Sequence, residues 1–553
     1  MTPTTGPGRR NGVAWLAAGA IAGIAVATGA LLVAFELWND ESVTAAGAPR
    51  MIEESATSGL VHVYDGDFDF YVGGGVAVFD CDGDRRPDVY AAGGSGPAGL
   101  YRNRSSVGGE LGFDRVASPE TDLTRVTGAY PIDVDSDGIV DLAVLRHGEN
   151  AMLRGTGDCG FETANDIWGL DGGDEWTAAF SAKWEDGQDL PTLAFGNYLA
   201  PTEDSEGRPV CEDNYLHVPD GEGYGQTRTA LSPGWCTLSI LFSDWGRRDE
   251  ADLRLTNDRH YYVDGEEQLW DMSPASPRLF DRDDGWAEMR IWGMGIASQD
   301  LTGDGLPEVY LTSQGDNKLQ SLVDDSGRPA YEDIALAAGV TAHRPFTGDD
   351  SKPSTAWHAE FDDVNNDSLI DLLVTKGNVE AQAEFAADDP NNLLLGQPDG
   401  TFVEGATEAG LIDVERSRGA AIADLNLDGL LDVVVMERRE QMRVWRNTGT
   451  AGGEGHWLQV DLEQEGANRD AVGAWVEIRF GGTSIEREIT IGGGHAGGQL
   501  GWTHFGMGAA ETGEIRVTWP DGETSPWYLV TADRFVIVTR GAAEVEVWDP
   551  LRD

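Results

Sequence analysis

Apolar residues in this chain fall mostly into short runs of four to six, and the runs come in pairs around an acidic, turn-forming stretch. "GGVAVF" (74–79) precedes and "DVYAAG" (88–93) follows one such stretch, and "GAAIAD" (419–424) and "DVVVM" (432–436) bracket another. Runs this short, rich in Val, Leu, Ile and aromatic residues and bounded by Gly, Asp and Pro, predict strands. The exception is Val13 to Leu37, an apolar run whose one charge is Glu36 near its far end. At 1.5 Å per residue it is long enough to cross a bilayer.

The acidic stretches repeat a single template, D-x-[DNT]-x-D-x-x-x-[DE]. The five copies are Asp80, Asp82, Asp84, Asp88; Asp133, Asp135, Asp137, Asp141; Asp300, Thr302, Asp304, Glu308; Asp363, Asn365, Asp367, Asp371; and Asp424, Asn426, Asp428, Asp432. Oxygen ligands at alternate positions of a tight loop, completed by a carboxylate, make a site for a hard cation, and calcium, which takes six to eight oxygens, suits them. An EF-hand would need Glu at position twelve, where this chain has Ala91, Val144, Leu311, Val374 and Val435 inside strand-like runs. Each loop therefore joins two strands. The template predicts about five Ca2+ ions, which would bring the formal net charge of −57 to about −47. Empty loops would repel themselves, so binding should couple to folding.

Degenerate copies, "AKWEDGQDLPTLAFGN" near residue 184 and "SDWGRRDEADLRLTND" near Asp244, fill the long gap between the second and third intact loops. Seven strand-rich units spaced about 51 to 63 residues apart predict a seven-bladed β-propeller over 51–450. "MIEESATSGLV" (51–61) parallels "YEDIALAAGVT" (331–341) and "FVEGATEAGLI" (402–412), which end one unit and lead into the next. Nothing comparable follows the seventh unit, so the 51–56 strand should cross over to complete it and close the ring. From residue 455 to 553, short alternating strands with Gly turns predict a small antiparallel β-sandwich.

Charge and cysteines narrow the function class. A chain with 39 basic and 96 acidic residues does not suit nucleic acid. It has four lysines, Lys183, Lys318, Lys352 and Lys376, a balance that fits saline surroundings or a GC-rich genome. Arg9 and Arg10 precede the apolar run, and Asp40 and Glu41 follow it, so positive-inside orientation exports the rest. The expected layout is a cytoplasmic 1–12, a membrane anchor 13–37, a linker 38–50, and an extracytoplasmic remainder. The alternative is a secreted form after cleavage near Ala48. Four cysteines in an exported chain read as disulfides. Cys211 and Cys236 enclose one loop. Cys81 lies in the first ion loop and Cys159 in a hairpin that should emerge on the same face, so a bond between them would staple units 1 and 2.

The repeats resemble FG-GAP type repeats of integrin-like propellers. With "HWLQVDL" (456–462), "NRDAVGAWVEI" (468–478), "GGGHAGGQ" (492–499), "HFGMG" (504–508) and "VTWPDG" (517–522), the chain resembles the cartilage acidic protein family, with its ASPIC/UnbV domain. The resemblance implies an extracellular calcium-binding adhesion or interaction module and no agreed reaction. The eroded loops of units three and four depart from it.

Opposite the ion loops, polar and aromatic residues should converge on an axial funnel: His147, Asn197, Asn257, Arg259, His260, Trp292, Gln314, Asn317, Trp357, His358, Lys376 and Arg418. Three functions fit. The funnel could recognise a protein or glycan ligand outside the cytoplasm, it could hold an enzyme site with His260 and His358 as acid–base groups, or the propeller could be a structural spacer. No GxSxG, HExxH or phosphate-binding Gly loop is present.

Overall fold

The computed structural model describes residue 1 and residues 44–225, 228–258, 265–273, 276–380, 382–453 and 455–552. The expected membrane anchor at 13–37, and Arg259 and His260 of the expected funnel, lie outside the described residues. Among the described residues no helix is long and apolar enough to cross a membrane.

The fold is all-β. Among the described residues, 49–450 form seven four- or five-stranded antiparallel sheets, an arrangement consistent with propeller blades, and a two-stranded ribbon, Leu199–Glu203 with Pro209–Cys211, inserted in the third sheet. Sheet 1 comprises Val76–Phe79, Asp88–Ala91, Gly99–Asn103 and Phe113–Val116. Sheet 2 follows with Thr124–Ile132, Asp141–Arg146, Ala151–Gly157 and Gly160–Thr163, and gains a fifth strand, Gly94–Pro97, on its first edge. Sheets 3 to 6 begin with Thr177–Lys183, Thr237–Ser243, Gly293–Gln299 and Ala356–Asp362. Sheet 7 has only Ser417–Ala423, Asp432–Glu437 and Arg443–Thr450 in sequence. Its fourth strand is Pro49–Glu53, which pairs antiparallel with Arg443–Thr450, Met51 opposite Asn447. The crossover expected from the 51–61 parallel is therefore present, beginning two residues earlier.

The first strands of the seven sheets neighbour one another in a closed cycle, sheet 7 returning to sheet 1. Apolar residues pack between neighbouring sheets, as Tyr130, Ile132, Phe180, Leu193 and Phe195 do between sheets 2 and 3. This explains why the second strands read as continuous apolar runs: both of their faces are covered.

The C-terminal unit has two four-stranded sheets sharing one core that includes Leu458, Val460, Val476, Ile478, Ile515, Val517 and Val536. One pairing departs from the antiparallel expectation: His456–Glu463 runs parallel to Arg534–Thr539. A parallel pair needs a long connection, and the whole second sheet, from Trp475 to Thr531, lies between these strands.

A segment of this unit enters the axis of the ring. Residues 491–499 make isolated bridges to five inner strands, at Val78, Ala129, Ala182, Leu241 and Ile296. The axis-facing strand edges carry backbone groups that need partners, and the segment supplies them: Ala129 N–H donates to the Ala496 carbonyl at 3.1 Å and Gly494 N–H donates to that of Ile296 at 2.7 Å. The approach depends on glycine on both sides, because a Cβ at Gly75 or Gly128 would overlap the Ala496 carbonyl and one at Gly497 the Val76 carbonyl.

Candidate metal centres and the interdomain face

Every ion loop connects the first and second strands of its sheet in the same register. The last residue of the first strand pairs with the closing position: Phe79 with Asp88, Ile132 with Asp141, Gln299 with Glu308, Asp362 with Asp371 and Ala423 with Asp432. The eroded units keep this register, with Ser243 opposite Asp252 and Lys183 opposite Thr192.

The opening aspartate organises the turn. Asp133 accepts the N–H groups of Asp137 and Gly138 at 3.1 and 2.9 Å. Asp363 holds those of Asp367 and Ser368 at 3.1 and 2.6 Å, and Asp424 those of Asp428 and Gly429 at 3.0 and 2.7 Å. The fourth and sixth positions take left-handed conformations in all five loops, for example Ser136 and Gly138 at φ 57° and 84°, and Asn366 and Ser368 at 59° and 69°. The closing carboxylate ties the loop to the sheet. Asp141 accepts N–H groups from Val134 at 2.7 Å and Gly155 at 2.8 Å, and Asp432 accepts those of Leu425 and Asn447 at 3.0 and 2.8 Å. Each oxygen still has a second lone pair for a cation.

These donor sets fit a hard cation. Oxygens of Asp80, Asp82 and Asp88, and of Asp133, Asp135 and Asp141, lie within 4.8 Å of one another. Asp135 Oδ1 and Asn426 Oδ1 are buried with no hydrogen-bond partner among the described residues. Burial, aided by neighbouring loop carboxylates and opposed by the N–H groups that hold them, pushes Asp88 and Asp141 up to about 8 and Asp133 and Glu308 up to about 6. Asp363, Asp371, Asp424 and Asp432 are pushed well above the usual carboxylate range for the same reasons. A positive charge at each site would keep these groups ionised. Part of it is internal at two loops: Arg102 lies 3.1 Å from Asp82, and Arg154 lies 2.7 and 2.9 Å from Asp135 and Asp137.

The fourth unit shows what replaces a cation. Arg247 and Asp249 keep the two left-handed positions at φ 51° and 58°, and Asp244 still holds the turn. Arg248 donates to Asp252 at 2.6 Å, and the Trp245 indole N–H donates to the same oxygen at 2.9 Å. A guanidinium thus stands at the fifth position, where the five intact loops carry Asp84, Asp137, Asp304, Asp367 and Asp428.

Both disulfides are formed. Cys81–Cys159 links the first ion loop to the outer hairpin of sheet 2, and Cys211–Cys236 ties the two-stranded ribbon Leu199–Glu203/Pro209–Cys211 to the residue that precedes the first strand of sheet 4. Disulfides point to an extracytoplasmic chain.

The C-terminal unit docks on the ion-loop face. Arg85, inside the first loop, pairs with Asp461 at 2.6 Å and Glu463 at 2.8 Å. Arg247 meets Glu486 at 2.7 Å, Arg487 meets Asp362 at 3.0 Å, and a His504 ring nitrogen lies 2.7 Å from Asn366 Oδ1. Between ring and domain lies a cavity of about 540 Å³ lined by Asp82, Arg85, Asp461, Asp470, Arg487 and Trp502 among others. Burial, with nearby carboxylates adding to it, pushes Asp470 up to about 8. The interface had no signal beyond the acid-rich and Arg-containing loops, because its partners are hundreds of residues apart.

Among the described residues, the polar groups expected on the opposite face have internal partners. Arg418 is fully buried, stacks 4.0 Å from the Trp357 ring and donates to the carbonyls of Tyr71, Ser417 and Val379. Burial lowers its guanidinium to about 9. Lys376, also fully buried, pairs with Asp389 at 3.0 Å. Asn197 and Asn257 each accept from a threonine hydroxyl, Thr177 and Thr237, and Asn317 donates to Tyr310. His358 Nδ1 accepts the N–H of His495 in the axial segment, and its Nε2 lies 3.2 Å from Glu360 on its own strand, so both ring nitrogens have internal partners. His147 stacks on Trp176 at 5.0 Å, Gln314 bonds exposed Gln382, and Trp292 bridges Asp258. Part of the expected funnel is occupied from within: the Tyr71 carbonyl accepts from Arg418 and Phe70 packs against His147, while His495 of the axial segment caps His358 and packs against Trp357. Buried guanidinium and ammonium groups require such internal partners.

The repeats match the family described as FG-GAP-like repeat at residues 80–144 and 363–435. Residues 464–545 match the family described as ASPIC and UnbV. The chain combines FG-GAP-like repeats with an ASPIC and UnbV domain. It is distantly homologous to cartilage acidic protein 1. The mouse protein is 25% identical over 237 residues, 42% of this chain and 34% of the relative. The Xenopus tropicalis protein is 25% identical over 268 residues, 46% of this chain and 36% of the relative. The matches thus span about a third of the length of these curated relatives. A solved structure of BBS1N in complex with ARL6DN is 8% identical with a TM-score of 0.40, covering 73% of this chain and 97% of that one.

Proposed function

We propose that the seven sheets are the blades of a calcium-stabilised β-propeller, capped by its ASPIC and UnbV domain and acting outside the cytoplasm as an adhesion or ligand-binding module. The observation that carries the calcium assignment is the shared register of five oxygen-lined loops whose buried carboxylates lack enough internal positive charge. In this reading calcium is structural: it neutralises the loops and lets the ASPIC and UnbV domain seat on them. The N-terminal apolar run anchors the protein in a membrane, or is removed near Ala48. The partner is a protein or glycan. The face away from the ASPIC and UnbV domain, where Phe68 is 54% exposed beside Trp176 and Arg439 pairs with Glu380, is the surface assigned to it.

Two experiments test this reading. Asp137→Asn and Asp304→Asn, at exposed rim positions, should each lower calcium stoichiometry by one in calorimetry while the fold persists. An unchanged stoichiometry in both would remove those loops from the calcium assignment. Binding of the calcium-loaded protein to glycan and extracellular-protein arrays, and its loss on Phe68→Ala, tests the partner face. Signals unaffected by Phe68→Ala would move the partner elsewhere.

A further inference from the structure

The five loops differ in what covers them. In 80–88, 133–141 and 300–308 the fifth position, Asp84, Asp137 or Asp304, is exposed to solvent. In 363–371 all four candidate ligands are buried, Asp367 at 7% being the most accessible. In 424–432, Asp424, Asn426 and Asp432 are buried and Asp428 is half-buried.

The covers come from distant parts of the chain. Over 363–371, Ala46 N–H donates to Asp367 Oδ2 at 2.6 Å. Gly506 leaves no room for a Cβ beside Asp363, nor Gly455 beside the Asn366 carbonyl. Over 424–432, the Trp457 indole lies so close to Gly429 that a Cβ there would overlap it. Asn426 donates to the Gly109 carbonyl at 3.0 Å, while its own Oδ1, in a side chain with no accessible surface, has no hydrogen-bond partner among the described residues. An unpaired buried amide oxygen is costly unless something fills its position. Asparagines lace these loops to their neighbours: Asn103 donates to the Leu425 carbonyl at 2.7 Å and Asn447 to that of Val364 at 2.8 Å. Among the five loops, Arg102 and Arg154 reach candidate ligand carboxylates only in the first two, at Asp82 and at Asp135 and Asp137.

We propose that calcium at 363–371 and 424–432 is trapped, leaving only when the ASPIC and UnbV domain lifts, whereas calcium at the other three loops exchanges freely. This rests on the calcium reading above and adds two kinetic classes to it. A trapped ion has shed its water and must regain it to depart, so its release is coupled to opening of the interface. The trapped pair sits where ring closure, the N-terminal segment and domain docking meet, so these ions would be acquired during folding rather than afterwards.

The test loads the full chain with calcium-45 and chases it with excess EGTA. Three ions should leave in a fast phase and two in a phase at least about a hundredfold slower, as expected for release gated by local opening. Trp457→Ala, which uncovers 424–432, should move one ion from the slow class to the fast one. Asp304→Asn should remove one fast ion and leave the slow pair. Release of all ions in a single phase would overturn the proposal even if the variants failed to fold. A chain that takes up no calcium before the chase would overturn the calcium reading itself.

Discussion

The contact between inner strands and axial segment makes Gly128→Ala a sharp perturbation. Gly128 does not adopt a positive φ, so alanine brings no backbone strain of its own. The added methyl would overlap the Ala496 carbonyl oxygen and come within 2.8 Å of the Ala496 carbonyl carbon. Both neighbours are backbone, and no side chain can swing aside. The segment must shift, and the 3.1 Å bond from Ala129 N–H to Ala496 goes with it. Overpacking costs about 1–3 kcal/mol, and a lost hydrogen bond about 0.5–1.5 kcal/mol, so the expected loss is about 2–4 kcal/mol. Hydrogen exchange followed by mass spectrometry should show it as roughly 30- to 1000-fold faster exchange in 491–499 than in wild type. Gly452→Ala, where a Cβ meets nothing within 4 Å, is the control and should exchange like wild type. If Gly128→Ala left exchange in 491–499 unchanged, the axial segment would not be seated as described.

Three further outcomes follow from the same structure. Burial lowers His62, His217 and His504 to about 4 and His495 to about 3, so these rings are neutral when folded, and calcium-loaded protein should lose stability as pH falls from about 6.5 toward 4, because the unfolded chain takes up protons first. Calcium-free protein should do the opposite between pH 8 and 6, since Asp88 and Asp141, raised to about 8, are protonated only in the folded chain there. Parallel slopes in melting experiments with and without chelator would contradict this. Lys376→Met leaves Asp389 buried and unpaired and should cost about 3–5 kcal/mol in denaturant unfolding, with Lys376→Met/Asp389→Asn recovering most of it. Recovery of none would place the cost in packing rather than charge. Replacing both cysteines of the Cys81–Cys159 pair, 78 residues apart, should cost about 4.5 kcal/mol from chain entropy, against about 3.5 kcal/mol for Cys211–Cys236, 25 apart. The reverse order in unfolding experiments would mean that the longer bond does not restrain the unfolded chain.

What the sequence made legible was local or periodic. Asp133–Asp141 and its relatives stand out because alternate acidic positions are rare and five copies share a spacing. The kinship of 51–61 with 331–341 marked the strand that completes sheet 7. What stayed hidden depends on tertiary approach. "GGGHAGGQ" has no strand period, and its glycines are needed because backbone meets backbone on the axis, a fact carried jointly by Gly75 and Gly128 far upstream. The polar residues opposite the ion loops were placed near the axis by topology alone, but nothing in His358 or Arg418 announces that His495 caps the one and the Tyr71 carbonyl accepts from the other. In the fourth unit, Arg247 and Asp249 adopt left-handed conformations without glycine, so the kept loop shape was invisible once its ligands had changed. The parallel pairing of His456–Glu463 with Arg534–Thr539 joins segments whose separation gives no local cue.

The central claim, that calcium in the repeat loops holds ring and ASPIC and UnbV domain together, is tested most directly by titrating calcium into the ion-stripped chain by calorimetry while following its melting. The account predicts about five ions and a large rise in melting temperature with ring and domain unfolding together, each site contributing about 2.7 kcal/mol at a hundredfold excess over its dissociation constant. Absence of binding at millimolar calcium, or binding that leaves the melting of both parts unchanged, would contradict it.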